Sequence, residues 1–510
     1  MDQPATAVGG AMQEGGRGRW LGLAMLSLGV AMIIVDATIV NVAVPSIIRD
    51  LRLDSTTAEW INTVYALVFA ALLVTLGRIG DLAGRRRLYL LGLVVFGGAS
   101  MLAGAAPSGE LLIAARVLQG VGGAMILPST QSILNTNFRG RDRAIAFGIW
   151  GATIGGMAAV GPLLGGWLTT YLSWRWAFFI NIPVALIAIA GTLKYIGESK
   201  DENAKSGLDP IGFLLITGGL GAFVFGLIEG RTYGWWTPEK PFTIFGWTWP
   251  LETVSIIPFA LIGGALALVL FLWVEGRRSR AGKFFLFDVE LWRFPAFRYG
   301  NLAGTIVSLG EFGLLFALPL FVYGLGVGFA TAQLTSIVLS DIPPERSGLA
   351  SGANSTMRQV GSAMGIAILG TVLFVNLVSG TSTNVTAALP ELPPACVDLI
   401  TTIVDESAGQ VLPALKNPIS AAAGADFGSN LGTLPPEQVA CFRDPAFIAA
   451  LPETVAPIEA AFVDATRLAG LVASGFVLVG VLLSLLLPEM PKRLEDAREP
   501  VDPDAEVAAA

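Results

Sequence analysis

Eleven long apolar runs leave this chain very few folds. Inside a bilayer a backbone has to satisfy its own N–H and C=O groups, so apolar runs of about 20 residues read as membrane-crossing helices. Ten of them fall at Trp20–Val44, Trp60–Leu76, Leu88–Ala106, Leu111–Gln131, Ala144–Tyr171, Trp176–Ile196, Pro210–Ile228, Val254–Val274, Leu349–Val375 and Leu468–Leu487. The eleventh, Tyr299–Leu339, is 41 residues long, enough for one long crossing or two short ones.

The placement of Lys and Arg decides between those two. With the N-terminus inside, two crossings put 23 basic residues inside and 8 outside, and leave Arg116 within a span. A single crossing would move Arg346, Lys492 and Arg493 outside and break the bias. The stretch is therefore split near Leu320–Gly324, where Pro319, Gly324 and Gly326 permit a sharp turn. The fold expected is an all-α polytopic membrane protein of about 12 transmembrane helices (6 + 2 + 4), both termini inside.

Composition agrees: 53% of residues are hydrophobic, and 14% are charged against about 25% in soluble chains. Residues 1–19 are polar and lead straight into a span, so they read as an uncleaved cytoplasmic tail. The chain has no histidine, so a proton relay would have to use carboxylates. No residue pattern suggests a metal site, a cofactor, a phosphate loop, a nucleic-acid surface or an enzyme's nucleophile–base pair.

The charge of −7 is uneven: residues 380–465 hold ten acids and two bases, and the remainder sums to about zero. Both cysteines, Cys396 and Cys441, lie in that outer segment. In an oxidising compartment they are expected to pair; two unpaired thiols are the alternative. The segment reads as short helices capping the outer mouth. Trp235, Trp236, Trp247 and Trp249 crowd the link between spans seven and eight, as an interfacial belt or a ligand site. Residues 283–298 (KFFLFDVELWRFPAFR) read as an interfacial helix.

Charged residues inside spans are costly and mark candidate functional sites. Asp36 is about 13 Å and Arg116 about 9 Å from the outer end of their spans, so the two can pair. Away from Arg116, an apolar surrounding favours the protonated carboxyl. Asp36 is thus the candidate proton-coupling carboxylate, with Glu311 as a second acid; a buried structural ion pair is the alternative. Thr38 and Asn41 share one helix face, and Gln119 lies one turn from Arg116. These three are candidates for the substrate cavity, or for hydrogen bonding between helices.

Between spans two and three stands GRIGDLAGRRR, residues 77–87. It resembles the G-x-L-A-D-x-x-G-R-R/K loop of the major facilitator superfamily, with Gly77, Asp81, Gly84, Arg85 and Arg86 on the motif positions. The resemblance implies that Asp81 meets the start of a helix in the opposite half and holds an inner gate shut. Arg116, Gln119, Gly120 and Gly122 resemble the family's R-x-x-Q-G-x-G motif, whose arginine is implicated in proton transfer. Gly151, Gly155, Gly161, Pro162, Gly165 and Gly166 resemble the antiporter signature of its exporters, and SWRWAFFINIPV is similar to exporter sequences too.

Two extra spans in Pro210–Val274 resemble the fourteen-helix drug:proton antiporter branch. The second half departs from that pattern: four helices stand where six are expected. The resulting division is a tail (1–19), a six-helix bundle (20–197), two extra helices with an interfacial link (198–298), a shortened second bundle (299–490) carrying the acidic loop 380–465, and a tail (491–510).

The resemblance implies a multi-pass protein of a plasma membrane, and the scarcity of lysine, seven of 32 basic residues, points to a bacterial source. It would be a monomer, with the lipid bilayer, protons and a small lipophilic or cationic substrate as partners. The implied activity is proton-coupled efflux. The alternative is a shortened relative that binds or regulates without transporting.

Overall fold

The computed structural model describes residues 16–53, 55–202, 207, 209–244, 247–317, 320–407, 436–441 and 444–487. Lys205, Pro319, Lys416, Arg443 and most of both tails, with Lys492, Arg493 and Arg498, lie outside the described residues.

The first bundle comprises α1 (Gly16–Leu51), α2 (Ser55–Ala83), α3 (Arg85–Gly104), α4 (Gly109–Asn137), α5 (Gly140–Tyr171), and a sixth crossing made of α6 (Trp176–Phe179) and α7 (Asn181–Tyr195). A hairpin of α8 (Pro210–Tyr233) and α9 (Ile256–Arg280) follows. Its link carries a two-stranded antiparallel ribbon, β1 (Thr243–Ile244) and β2 (Trp247–Thr248). The rest is α10 (Pro295–Ala317), α11 (Leu320–Val338), α12 (Ser347–Ala388), α13 (Pro394–Ser407), α14 (Pro436–Cys441) and α15 (Pro445–Ser484).

Ten helical segments of the described chain are long and apolar enough to cross a membrane. The α10–α11 hairpin adds two more helices, of 23 and 19 residues. It is antiparallel: a side chain on Gly300, early in α10, would strike Val338 at the end of α11. Only residues 318 and 319 separate the pair. Gly324, expected to serve the turn, instead lies inside α11.

Start signals in the sequence are used. Ser108 caps α4, Asp209 caps α8 just before Pro210, Ser255 caps α9, and Asp444 caps α15 just before Pro445.

The first bundle packs through α3–α4, α2–α4 and α1–α5, the second through α10–α15, α12–α15 and α10–α12. The halves meet where α5 packs on α11 and α2 on α12. Helix α8 lies against both α2 and α12, so the extra hairpin touches both halves.

Helix α1 already begins at Gly16, within the tail 1–19, and Arg19 pairs with Asp142 at 2.5 Å. The structure differs from three further readings. Residues 77–87 are not a loop: α2 continues to Ala83 and only Gly84, at φ 112°, breaks the helix before α3. Residues 283–298 form no interfacial helix; they give a short 3-10 turn at Val289–Arg293 and the start of α10, because Leu286, Phe287 and Leu291 are buried in the protein.

The third concerns 380–465. Helix α12 has 42 residues and α15 has 40, twice the length that about 30 Å of hydrocarbon requires. The C-terminal part of α12, the N-terminal part of α15 and α13 enclose a separate apolar core that includes Leu377, Val385, Ile400, Phe447 and Ile458. Cys396 and Cys441 are disulfide-bonded, with Cα atoms 5.7 Å apart, tying α13 to α14.

Candidate functional site

Asp36 sits near the middle of α1 and is fully buried. Its Oδ2 accepts from Arg116 of α4 at 2.5 Å. Its Oδ1 accepts from Gln119 and from Asn181 of α7, each at 2.9 Å. Ser100 of α3 accepts from both amides, at 2.8 and 3.2 Å. Arg116 also donates to Gln119 Oε1 and, through Nε, to the Ile61 carbonyl of α2. Its guanidinium lies 4.2 Å from the centre of the Tyr65 ring.

A buried ion pair is tolerated when further hydrogen bonds satisfy both partners, and Gln119, Asn181 and the Ile61 carbonyl, on three helices, supply them here. The sequence brought out Asp36, Arg116 and Gln119 but not Asn181, Ser100 or Tyr65. Asn181 had a signal, since it is the one amide within the apolar stretch FFINIPV.

Thr38 and Asn41 face different neighbours. The Thr38 hydroxyl donates to its own helix, at Ile34 and Val35, and lies where a side chain on Gly161 would go. Asn41 is exposed and accepts from Asn62 of α2 at 2.9 Å. Gln119 is wholly buried in the Asp36 network. Glu311 in α10 pairs with Arg358 of α12 at 4.0 Å. Arg358, counted above among the inner basic residues, therefore lies about 17 Å into α12, because it faces a carboxylate inside the bundle.

Asp81 and Arg85 form the second centre. Asp81 accepts from the backbone N–H of Gly348 and Leu349, at 2.9 and 2.8 Å, in the first turn of α12. Arg85 binds Asp81 through Nε at 3.0 Å and Nη2 at 2.7 Å, and donates to the Pro344 carbonyl at 2.7 Å. A carboxylate at a helix N-terminus meets unpaired amides and the positive end of the dipole. Gly77 allows the approach: a side chain there would strike the Gly348 carbonyl. Glu198, unremarked in the sequence, accepts from the N–H groups of Arg86 and Arg87 and so caps α3. The Arg86 guanidinium donates to the Leu193 carbonyl.

The α5 glycines divide by contact. Side chains on Gly151 and Gly155 would strike the Gly328 and Gly324 carbonyls of α11; on Gly165, one would crowd Ile39 of α1; on Gly166, one would meet nothing within 4 Å. Pro162 lies inside α5. A cavity of about 360 Å³ opens in the α8–α9 link, where Tyr233, Phe242 and Trp249 line it. Trp236 and Trp247 are exposed.

Two packed sets of apolar helices, a buried ion pair in the first set and a carboxylate clamp between the sets define a multi-pass membrane transporter. Residues 26–366 match the model of the Major Facilitator Superfamily. The chain belongs to that family. It is 30% identical to the multidrug resistance protein Stp of Mycobacterium tuberculosis, over 91% of each chain. It is also 30% identical to a probable actinorhodin transporter of Streptomyces coelicolor, over 70% of this chain and 72% of that one. With the puromycin resistance protein pur8 of Streptomyces alboniger, identity is 40% over 51% of this chain, which spans 48% of that relative's length.

Proposed function

We propose that this transporter exports lipophilic or cationic small molecules in exchange for protons. The observation that carries the reading is Asp36, a buried carboxylate inside the first bundle, held by Arg116, Gln119 and Asn181. Paired with Arg116 it stays charged; separated from it in an apolar surrounding it takes a proton. A movement of α1 against α4 therefore loads or unloads a proton. The names of relatives tied to antibiotic and multidrug resistance support the direction of transport.

The basic ends of the helices are read as cytoplasmic, with both termini inside and a bacterial plasma membrane as the setting. Reporter fusions after Ser340 and after Arg498 test this, and an external score at either reverses it. On this reading, residues 20–197 and the shortened bundle 299–490 rock about Asp81–α12, with residues 198–298 alongside. The unit is a monomer.

The direct α10–α11 join favours a second reading, a relative that binds or regulates without transporting. Alternating access works by rocking two comparable bundles, and here the second consists of α10, α11, α12 and α15. Dye efflux from energised cells decides between the two. Efflux that collapses with a protonophore supports export; no uphill movement of any cationic dye supports the second.

A further inference from the structure

Asp209 and Glu275 meet where the α8–α9 hairpin ends, at the same end of the bundle as Asp81. They belong to neither centre described above. Asp209 Oδ1 caps α8 by accepting from Gly212 N–H at 2.9 Å. Glu275 Oε2 accepts from Leu286 and Phe287 N–H at 2.6 and 2.8 Å. Each carboxyl thus commits one oxygen to backbone. Of the other two, Glu275 Oε1 has no hydrogen-bond partner, and Asp209 Oδ2 faces the Arg278 guanidinium. The residues are only 4% and 0% exposed.

Both of those oxygens converge on Gly212: a side-chain carbon there would lie within 3 Å of each. The two carboxyls therefore face each other across the Gly212 backbone. As carboxylates both can only accept, so neither satisfies the other. One proton between them turns that contact into a hydrogen bond.

The charge count agrees. Arg278 of α9 pairs with Asp209 at 3.1 Å, one cation for two buried acids. Arg277 lies over the Trp273 ring instead. On the following segment Asp288 is engaged with Arg346, and Glu290 with Arg293. Beyond Asp209, α8 has no charged residue until Glu229, close to its other end.

We propose that Asp209 and Glu275 form a proton-binding site that holds one proton between two carboxyls and controls how firmly residues 284–288 are seated. Glu275 carries the backbone of Leu286 and Phe287. The same segment places Phe284 and Phe285 against Arg78 of α2, and Asp288 against Arg346 beside the start of α12. Loss of the proton leaves two facing carboxylates with one guanidinium. Their repulsion pushes Glu275 away and loosens the segment next to the Asp81 clamp.

The test uses the full-length protein in nanodiscs and does not depend on export. Infrared difference spectra between acid and alkaline pH should show a protonated-carboxyl C=O band that E275Q and D209N each remove. Hydrogen exchange of the 284–288 peptide should rise with pH beyond the intrinsic rate in wild type, and this extra rise should be lost in both variants. A band unchanged by either substitution overturns the proton site. A band lost with an unaltered exchange profile overturns its link to the segment. An absent extra rise in wild type overturns that link without reliance on any variant.

Discussion

Asp81 and Leu349, 268 residues apart in sequence, are joined by a hydrogen bond of 2.8 Å from the Leu349 N–H to the Asp81 carboxylate. With Gly348 N–H it makes Asp81 the cap of a helix in the other half of the molecule. The cap lies in trans, so it latches one half to the other and breaks when they separate.

Asp81→Asn is expected to weaken that latch by about 1–2 kcal/mol, since the charge–dipole interaction goes while one acceptor oxygen stays. Both native cysteines are bonded to each other, so a cysteine introduced at the buried Ser347 would be the single reactive thiol. Its alkylation should quicken roughly tenfold when Asp81→Asn is added. An unchanged rate would show that the closed end is held by other contacts.

The α5 glycines allow a paired comparison. Gly155→Ala places a methyl against the Gly324 carbonyl and should destabilise the protein by about 1–3 kcal/mol, as overpacking does. Gly166→Ala adds the same methyl where nothing lies within 4 Å, and should leave thermal stability unchanged. Equal melting temperatures in purified G155A and G166A would contradict the close α5–α11 approach.

The helical extension of α12, α13 and α15 has its own core and its own crosslink. A disulfide closing 45 residues stabilises by roughly 4 kcal/mol in the chain-entropy model. Cys396→Ser with Cys441→Ser should raise hydrogen exchange in α13 and the N-terminal part of α15. Exchange around Asp36 and Arg116 should stay as in wild type. Mass spectrometry that finds both thiols alkylated without reduction would remove the premise.

What the sequence discloses depends on whether the determining interaction is local. Asp36 and Arg116 were legible as a pair because helix rise converts sequence position into depth. Asn181 was not, since nothing local tells which way an amide on the sixth crossing faces. The helical nature of residues 77–83 was hidden by their polarity: hydropathy marks a polar run as a loop, yet Arg78, Asp81 and Arg85 are buried between α12 and the segments around Glu198 and Phe284. Residues 380–465 read as short helices, yet Pro452 and Pro457 lie inside the long α15, where packing of Phe447, Val455 and Ile458 outweighs the local breaks.

The last prediction concerns coupling. Asp36 is wholly buried, and its charge is balanced by Arg116 at 2.5 Å. Asp36→Asn retains the shape and an acceptor for Gln119 or Asn181 but cannot cycle between charged and neutral forms. It should abolish proton-driven efflux while the protein remains folded in the membrane. Arg116→Ala leaves a buried carboxylate without its cation; it should shift the pH dependence of transport, lower the rate and cost about 3–5 kcal/mol of stability. Transport in inverted vesicles under an imposed pH gradient, with melting temperature measured in parallel, separates these effects. Uphill export by Asp36→Asn at the wild-type rate would make the Asp36 network structural and pass the proton-coupling role to Glu311, which stands opposite Arg358 in the second bundle. If wild type and variant alike move no substrate, the four-helix second bundle is the reason, and the reading as a non-transporting relative replaces export.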